Sequence, residues 1–104
     1  MKIDIKLPGI ENCPVNTIVY IEGKGNYSIV HLKNQKQVVM AKTLKKFEAQ
    51  LRMNQFVRIH KSYLVNKENI PSFESKGATE VPTALGTSLP ISRRKLDFVR
   101  RTFA

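Results

Sequence analysis

Apolar and polar residues alternate strictly in Lys2-Ile-Asp-Ile-Lys-Leu7, the period of a strand with one buried face. Pro8-Gly9 ends that pattern, and the segment on to Pro14 reads as a turn or loop. Asn16-Thr17 then leads into Ile18-Val19-Tyr20-Ile21, a dense β-branched run that predicts a strand buried on both sides. In Glu22-Gly23-Lys24-Gly25-Asn26 two glycines flank a lysine, permitting positive φ and close backbone approach, so a sharp hairpin or bulge is expected. Tyr27 to Leu32 is the return strand, Asn34 falls in the next turn, and Gln37-Val38-Val39-Met40 is another strand. Here the period changes. Thr43 is placed as an N-cap, and Leu44, Phe47 and Leu51 follow at i, i+3 and i+7, with Lys45, Lys46, Glu48 and Gln50 outside that stripe. A short helix is predicted.

Met53-Asn54 leads into Gln55-Phe-Val-Arg-Ile-His-Lys-Ser-Tyr-Leu-Val-Asn66. Val57 and Ile59 alternate with Arg58 and His60, giving an apolar face and a cationic one. The alternation fails at Lys61-Ser62-Tyr63, a set suited to a tight turn that projects side chains outward, and resumes at Leu64-Val65. A strand that breaks to present Lys61 and re-enters the core is a rigid mount for a contact residue. Lys67-Glu68-Asn69 begins a link to Ile70-Pro71-Ser72-Phe73. From Glu74 to Thr87 the periodicity is poor; Pro71 and Pro82 cannot donate to a ladder, so a loose hairpin of edge strands or strand ends is expected. Ser92 is expected to cap a closing helix whose stripe is Leu96, Val99 and Phe103, with Arg94, Lys95, Arg100 and Arg101 on other faces. The predicted fold is mainly β around Ile18, Ile21, Val30, Val39, Val57, Ile59, Leu64 and Val65, with a short helix after the third or fourth strand and another at the C-terminus.

Composition narrows the function. A chain of 104 residues, 41% hydrophobic and 25% charged, is one globular domain, residues 1–104. No apolar run approaches the roughly 18 residues of a membrane span, and the alternating N-terminus is no signal-peptide core, so a cytoplasmic location is expected. The lone Cys13 agrees with a reducing compartment. The charge points to a polyanion: 18 Lys plus Arg against 8 Asp plus Glu leave a formal +10. Nucleic acid fits better than an anionic membrane surface, because the cations are spread over loops and strands instead of lining one long amphipathic helix. His31 and His60 read as structural histidines, and two histidines with one cysteine fall short of a zinc site, so no metal or other cofactor is expected. The acidic residues are scattered, with no nucleophile-and-base grouping and no P-loop. The chain does not read as an enzyme.

Three stretches, Ile18-Val-Tyr-Ile-Glu-Gly-Lys-Gly-Asn-Tyr27, Gln55 to Asn66 and Leu89-Pro-Ile-Ser-Arg-Arg94, together resemble the LytTR DNA-binding domain, the output module of bacterial LytR/AlgR-type response regulators of two-component systems. The resemblance covers nearly the whole chain. It implies an elongated stack of small antiparallel β-sheets in which loops, not a recognition helix, enter the DNA grooves, and a function in sequence-specific duplex binding for transcriptional regulation. Carried over residue by residue, it implies DNA contacts at Asn26, Lys61 and Arg93; with these, the expected assignment is that Lys24, Asn26, Lys61 and Arg93 read or approach bases, while Lys42, Arg58, Ser62, Tyr63 and Arg94 hold phosphates. The residues alone support part of this. Lys24 suits a phosphate and Asn26 an adenine edge, and Arg93-Arg94 at a predicted helix start places cations against the dipole, where an anionic partner would favour them. Arg100-Arg101 reads as a solvated face. The expected partners are duplex DNA with tandem direct-repeat half-sites, a second copy of the domain on that DNA, and a receiver domain or another regulatory partner. Regulators of this type carry a phosphoacceptor receiver domain ahead of the module, and none is present in these 104 residues. Two other binding readings stand beside this one: RNA or single-stranded DNA with Tyr27 and Tyr63 stacked on bases, and a protein-interaction domain whose basic face docks an acidic partner.

Overall fold

The computed structural model describes residues 4–7, 10–51 and 55–104. The expected break at Pro8-Gly9, the lead-in at Met53-Asn54 and the first residues of the N-terminal strand lie outside them. Strand β1 (Asp4–Leu7) pairs antiparallel with β2 (Ile10–Pro14). A five-stranded antiparallel sheet follows, built from β3 (Ile18–Lys24), β4 (Tyr27–Leu32), β5 (Gln37–Met40), β6 (Phe56–His60) and β7 (Tyr63–Asn66) in the spatial order β5-β4-β3-β7-β6. A last hairpin pairs β8 (Glu80–Pro82) with β9 (Ser88–Pro90). Helix α1 (Leu44–Gln50) follows β5, and α2 (Leu96–Thr102) closes the chain. The architecture is mainly β and elongated, 39 × 26 × 24 Å.

The central sheet is buried on both faces. One face packs Ile18, Ile21, Val30, Phe56 and Leu64 against Leu44, Phe47 and Leu51 of the α1 region. The other packs Val19, Tyr20, Val57, Ile59 and Val65 against Val81 and Leu89 of the last hairpin and Val99 of α2. Strict alternation would put Ile18 and Ile21 on opposite faces, and the register shift between Ile18 and Tyr20 is what returns them to the same one. Thr43 caps α1, its side chain accepting from the Lys46 amide. Two buried asparagines brace the start of β3. Asn66 Nδ2 donates to the carbonyls of Ile18 (2.9 Å) and Val15 (3.3 Å), and Asn69 Nδ2 to those of Ile18 (2.6 Å) and Asn16 (3.0 Å).

Four local expectations are corrected. Ile10–Pro14 is a strand and not a loop; Glu11, Asn12 and Cys13 have little β propensity, and pairing with β1 imposes the extended state. Val39 is 61% exposed, because the edge strand β5 turns its neighbours Val38 and Met40 inward. The Ser92 hydroxyl makes no cap hydrogen bond; the chain opens with a 3₁₀ turn at Arg93–Lys95, closed by the Ser92 carbonyl accepting from the Lys95 amide. Arg100 is half-buried rather than solvated, its Nε donating to the Ala78 carbonyl at 2.9 Å.

Candidate nucleic-acid interface

Three connections carry the candidate residues. The first is the two-residue turn Gly25-Asn26, placed between Lys24 and Tyr27, which pair as the last rung of β3 and β4. Gly25 has φ +61°, while Asn26 keeps a negative φ, which is the pattern of a type II′ hairpin. Gly23 serves differently: a Cβ there would lie 3.1 Å from Leu44 Cβ, so glycine lets α1 close against the root of the hairpin. Lys24, Asn26 and Tyr27 are all exposed at the tip. The second connection is the Lys61-Ser62 turn between β6 and β7, with Tyr63 already in β7. The third is the 3₁₀ turn Arg93–Lys95 ahead of α2.

Backbone hydrogen bonds join these connections. The Gly23 amide donates to the Ser62 carbonyl at 2.8 Å, tying the hairpin root to the β6–β7 turn. The Ser92 amide donates to the Ile59 carbonyl at 2.9 Å, tying the third connection to β6. Between the second and third lies an open cleft of about 570 Å³ lined by Glu48, Arg58, His60, Lys61, Ser92, Arg93, Arg94 and Lys95. Of the residues singled out in the sequence, Arg58, Lys61, Arg93 and Arg94 therefore share one site. Lys24 and Asn26 do not line it; they project from the hairpin that Gly23 couples to its rim. Lys42 sits beside α1, Nζ 4.9 Å from the Phe47 ring centroid and 2.7 Å from Gln50 Oε1. Ser62 is part of the turn itself, its amide donating to His60 Nδ1 at 3.1 Å. Tyr63 is half-buried, its ring packed against those of Tyr20 and His60.

The Arg58 side chain is 19% accessible and pairs with Glu48. Its Nη1 donates to Glu48 Oε1 at 2.6 Å, Nε to the His60 carbonyl at 2.8 Å, and Nη2 to the Lys61 carbonyl at 2.6 Å. Glu48, His60 and Lys95 were not among the candidate contacts. A helical position outside the apolar stripe gave no sign that Glu48 would meet a residue ten positions along the chain.

Two titratable groups away from the cleft are held within the fold. Burial lowers the His31 pKa, opposed by its hydrogen bond to Glu22, and the ring stacks on Tyr20 at 4.1 Å between centroids. Burial raises the Tyr20 pKa, opposed by a hydrogen bond with the Thr87 side chain. Among the described residues no group of three or more His, Cys, Asp or Glu is placed to hold a metal ion. No described helix is long and apolar enough to cross a membrane.

The model of the LytTr DNA-binding domain matches residues 9–104. The chain belongs to the LytTr DNA-binding domain family. It is 31% identical over 90 residues to the CO-responsive transcriptional regulator RcoM of Rhodospirillum rubrum, a match covering 84% of this chain and 38% of that protein. The LytTr chain thus spans well under half the length of this curated relative. Among solved structures, a LytTr DNA-binding domain from Bacillus cereus superposes with a TM-score of 0.73 at 21% identity, covering 97% of this chain and 94% of the other, which shows the shared fold.

Proposed function

We propose that this LytTr domain binds duplex DNA sequence-specifically to regulate transcription, with the β3–β4 hairpin and the Lys61/Arg93 cleft entering neighbouring stretches of groove. The observation that carries this reading is the joining of both loops to one rigid sheet through Gly23–Ser62 and Ser92–Ile59, so that their spacing is set before DNA arrives. Lys24, Asn26, Lys61 and Arg93 are the base-approaching residues of the proposal, and Lys42, Ser62, Tyr63 and Arg94 approach the phosphates. Arg58, expected from the sequence to hold a phosphate, is left out of that set because three of its five N–H groups are already used inside the protein.

A module of this size covers on the order of 600–1,000 Å² of its surface on DNA, too little for high specificity, so the operator is proposed to hold two direct repeats, each occupied by one copy. A receiver domain or another regulatory partner would control occupancy. The single-strand reading is weakened by Tyr63, whose ring is already taken up by Tyr20 and His60, leaving Tyr27 as the exposed stacking platform of the pair. Selection of bound duplexes from a random pool tests the proposal. A recovered consensus that outcompetes unrelated duplex and single strands of equal length supports it; recovery without a consensus, or preference for the single strand, refutes it.

A further inference from the structure

The turn that presents Lys61 lacks the residues such turns usually require. Two-residue hairpin loops favour Gly, Asn or Asp because these accept positive φ. Lys61-Ser62 has none of them, and neither residue has positive φ. Its shape is imposed from outside. The Arg58 guanidinium grips two successive carbonyls, those of His60 and Lys61, with its Nε and Nη2. His60 Nδ1 accepts from the Ser62 amide, and the Gly23 amide donates to the Ser62 carbonyl. Glu48 holds the other arm of the guanidinium from α1 at 2.6 Å.

We infer that Glu48 and Arg58 are a positioning pair that sets the Lys61 turn for base readout, Glu48 aiming the Arg58 fork and the fork fixing the backbone on either side of Lys61. This role rests on the DNA-binding reading above. Glu48 supplies the decisive sign. A carboxylate lining a cleft with Arg58, Lys61, Arg93, Arg94 and Lys95 repels phosphate, so a bystander at that position would weaken DNA binding, and its removal would strengthen it. A positioning residue does the opposite. Arg58 is equally testable, because lysine keeps the charge but cannot span two carbonyls and a carboxylate as a planar fork does.

The experiment uses the whole chain with Glu48→Gln, Arg58→Lys, Lys61→Ala and the double variant Glu48→Gln/Lys61→Ala, each checked by thermal melting. Affinity for the selected duplex and for unrelated duplex is measured, and amide exchange is followed without DNA. Glu48→Gln and Arg58→Lys should each lose about tenfold on the selected duplex, the effect of a lost charge-assisted contact, and change by about twofold or less on unrelated duplex. Lys61→Ala should cost less in the Glu48→Gln background than alone, and the Ser62 amide should exchange faster in both single variants. Selected-duplex affinity of Glu48→Gln equal to or above that of the original chain, full additivity with Lys61→Ala, or unchanged Ser62 exchange would overturn the role. If the unsubstituted chain shows no duplex preference, the DNA-binding reading falls and this role with it; the exchange measurement, made without DNA, separates that outcome from failure of the clamp alone.

Discussion

The start of β3 depends on a carbonyl shared by two buried amides, which makes a sharp prediction about stability. Asn66 is fully buried and Asn69 is 6% exposed. Replacing Asn66 by Ala deletes the donors to Ile18 O and Val15 O and the Oδ1 acceptor that caps the Glu68 amide at 3.1 Å. Each such bond contributes about 0.5–1.5 kcal/mol net, and with the long Val15 contact at the low end the loss comes to about 1.5–3.5 kcal/mol. That is a large share of the about 5–15 kcal/mol that holds a domain together. Asn69→Ala removes two bonds, to Ile18 O and Asn16 O, and should cost about 1–3 kcal/mol. Either single change leaves Ile18 O one side-chain donor. The double change removes both, so it should cost more than the sum of the singles, by about 0.5–1 kcal/mol. Asn66→Asp should be at least as damaging as Asn66→Ala, because a carboxylate keeps the Glu68 cap but turns an acceptor toward two carbonyls. Urea unfolding measures this through the midpoint at constant m-value. A cost below about 1 kcal/mol for Asn66→Ala, or strict additivity in the double variant, would refute the shared-carbonyl account.

Gly25→Val should cost about 1–2 kcal/mol from backbone strain alone, since φ is +61° and nothing stands within 4 Å of the new Cβ, and it should weaken DNA binding beyond that; stability and affinity unaltered by the change would remove the hairpin from the interface. Arg93→Ala should lose about 1–3 kcal/mol on the selected duplex and relax one base position, whereas Lys24→Ala should lower affinity for all sequences and reduce the salt slope by about one; the reverse assignment would exchange their roles. His31 titrates lower in the folded state, so between the folded and ordinary imidazole values the unfolded chain binds more protons and stability falls as pH falls through that window; urea midpoints should drop on acidification and His31→Gln should flatten the trend. Inserting about five base pairs between the two half-sites should abolish cooperative binding while single sites still bind, because half a helical turn sends the second copy to the opposite face; unchanged affinity for the spaced operator would contradict the tandem arrangement.

The fold was legible where periodicity and caps agreed. Ile18-Val19-Tyr20-Ile21 read as doubly buried and is, and Thr43 with Leu44, Phe47 and Leu51 read as a capped helix and is. Two of the misreadings share one cause, a neighbouring element overriding local preference. β1 recruits Ile10–Pro14 into a ladder its own residues would not nominate. At β5 the run Gln37-Val38-Val39-Met40 offers two adjacent valines, and only the register with β4, where Val39 faces Ile29, decides which one is outside. A loose hairpin was expected within Glu74 to Thr87, but the one formed lies further along, pairing Glu80–Pro82 with Ser88–Pro90; the three-residue strands end at Pro82 and Pro90, where no ladder donor remains.

At the site, residue type was more legible than residue duty. A cation on the polar face of a strand looks free to meet a phosphate, and Arg58 in β6 has that pattern, yet a guanidinium that near a glycine-free turn finds two carbonyls before it finds solvent. Sequence spacing holds no trace of this, because the third partner, Glu48, comes from a helix on the far side of a connection and meets Arg58 only once β6 has joined the sheet's edge. Loops on this scaffold take their shape from neighbouring strands. Gly23 and Ile59 belong to strands, and each uses a backbone group to fix a loop that its own residues leave undetermined. Ile59 lies on the edge strand β6, and its carbonyl, the kind of edge group that in other proteins invites aggregation, is here spent on holding the Ser92 loop.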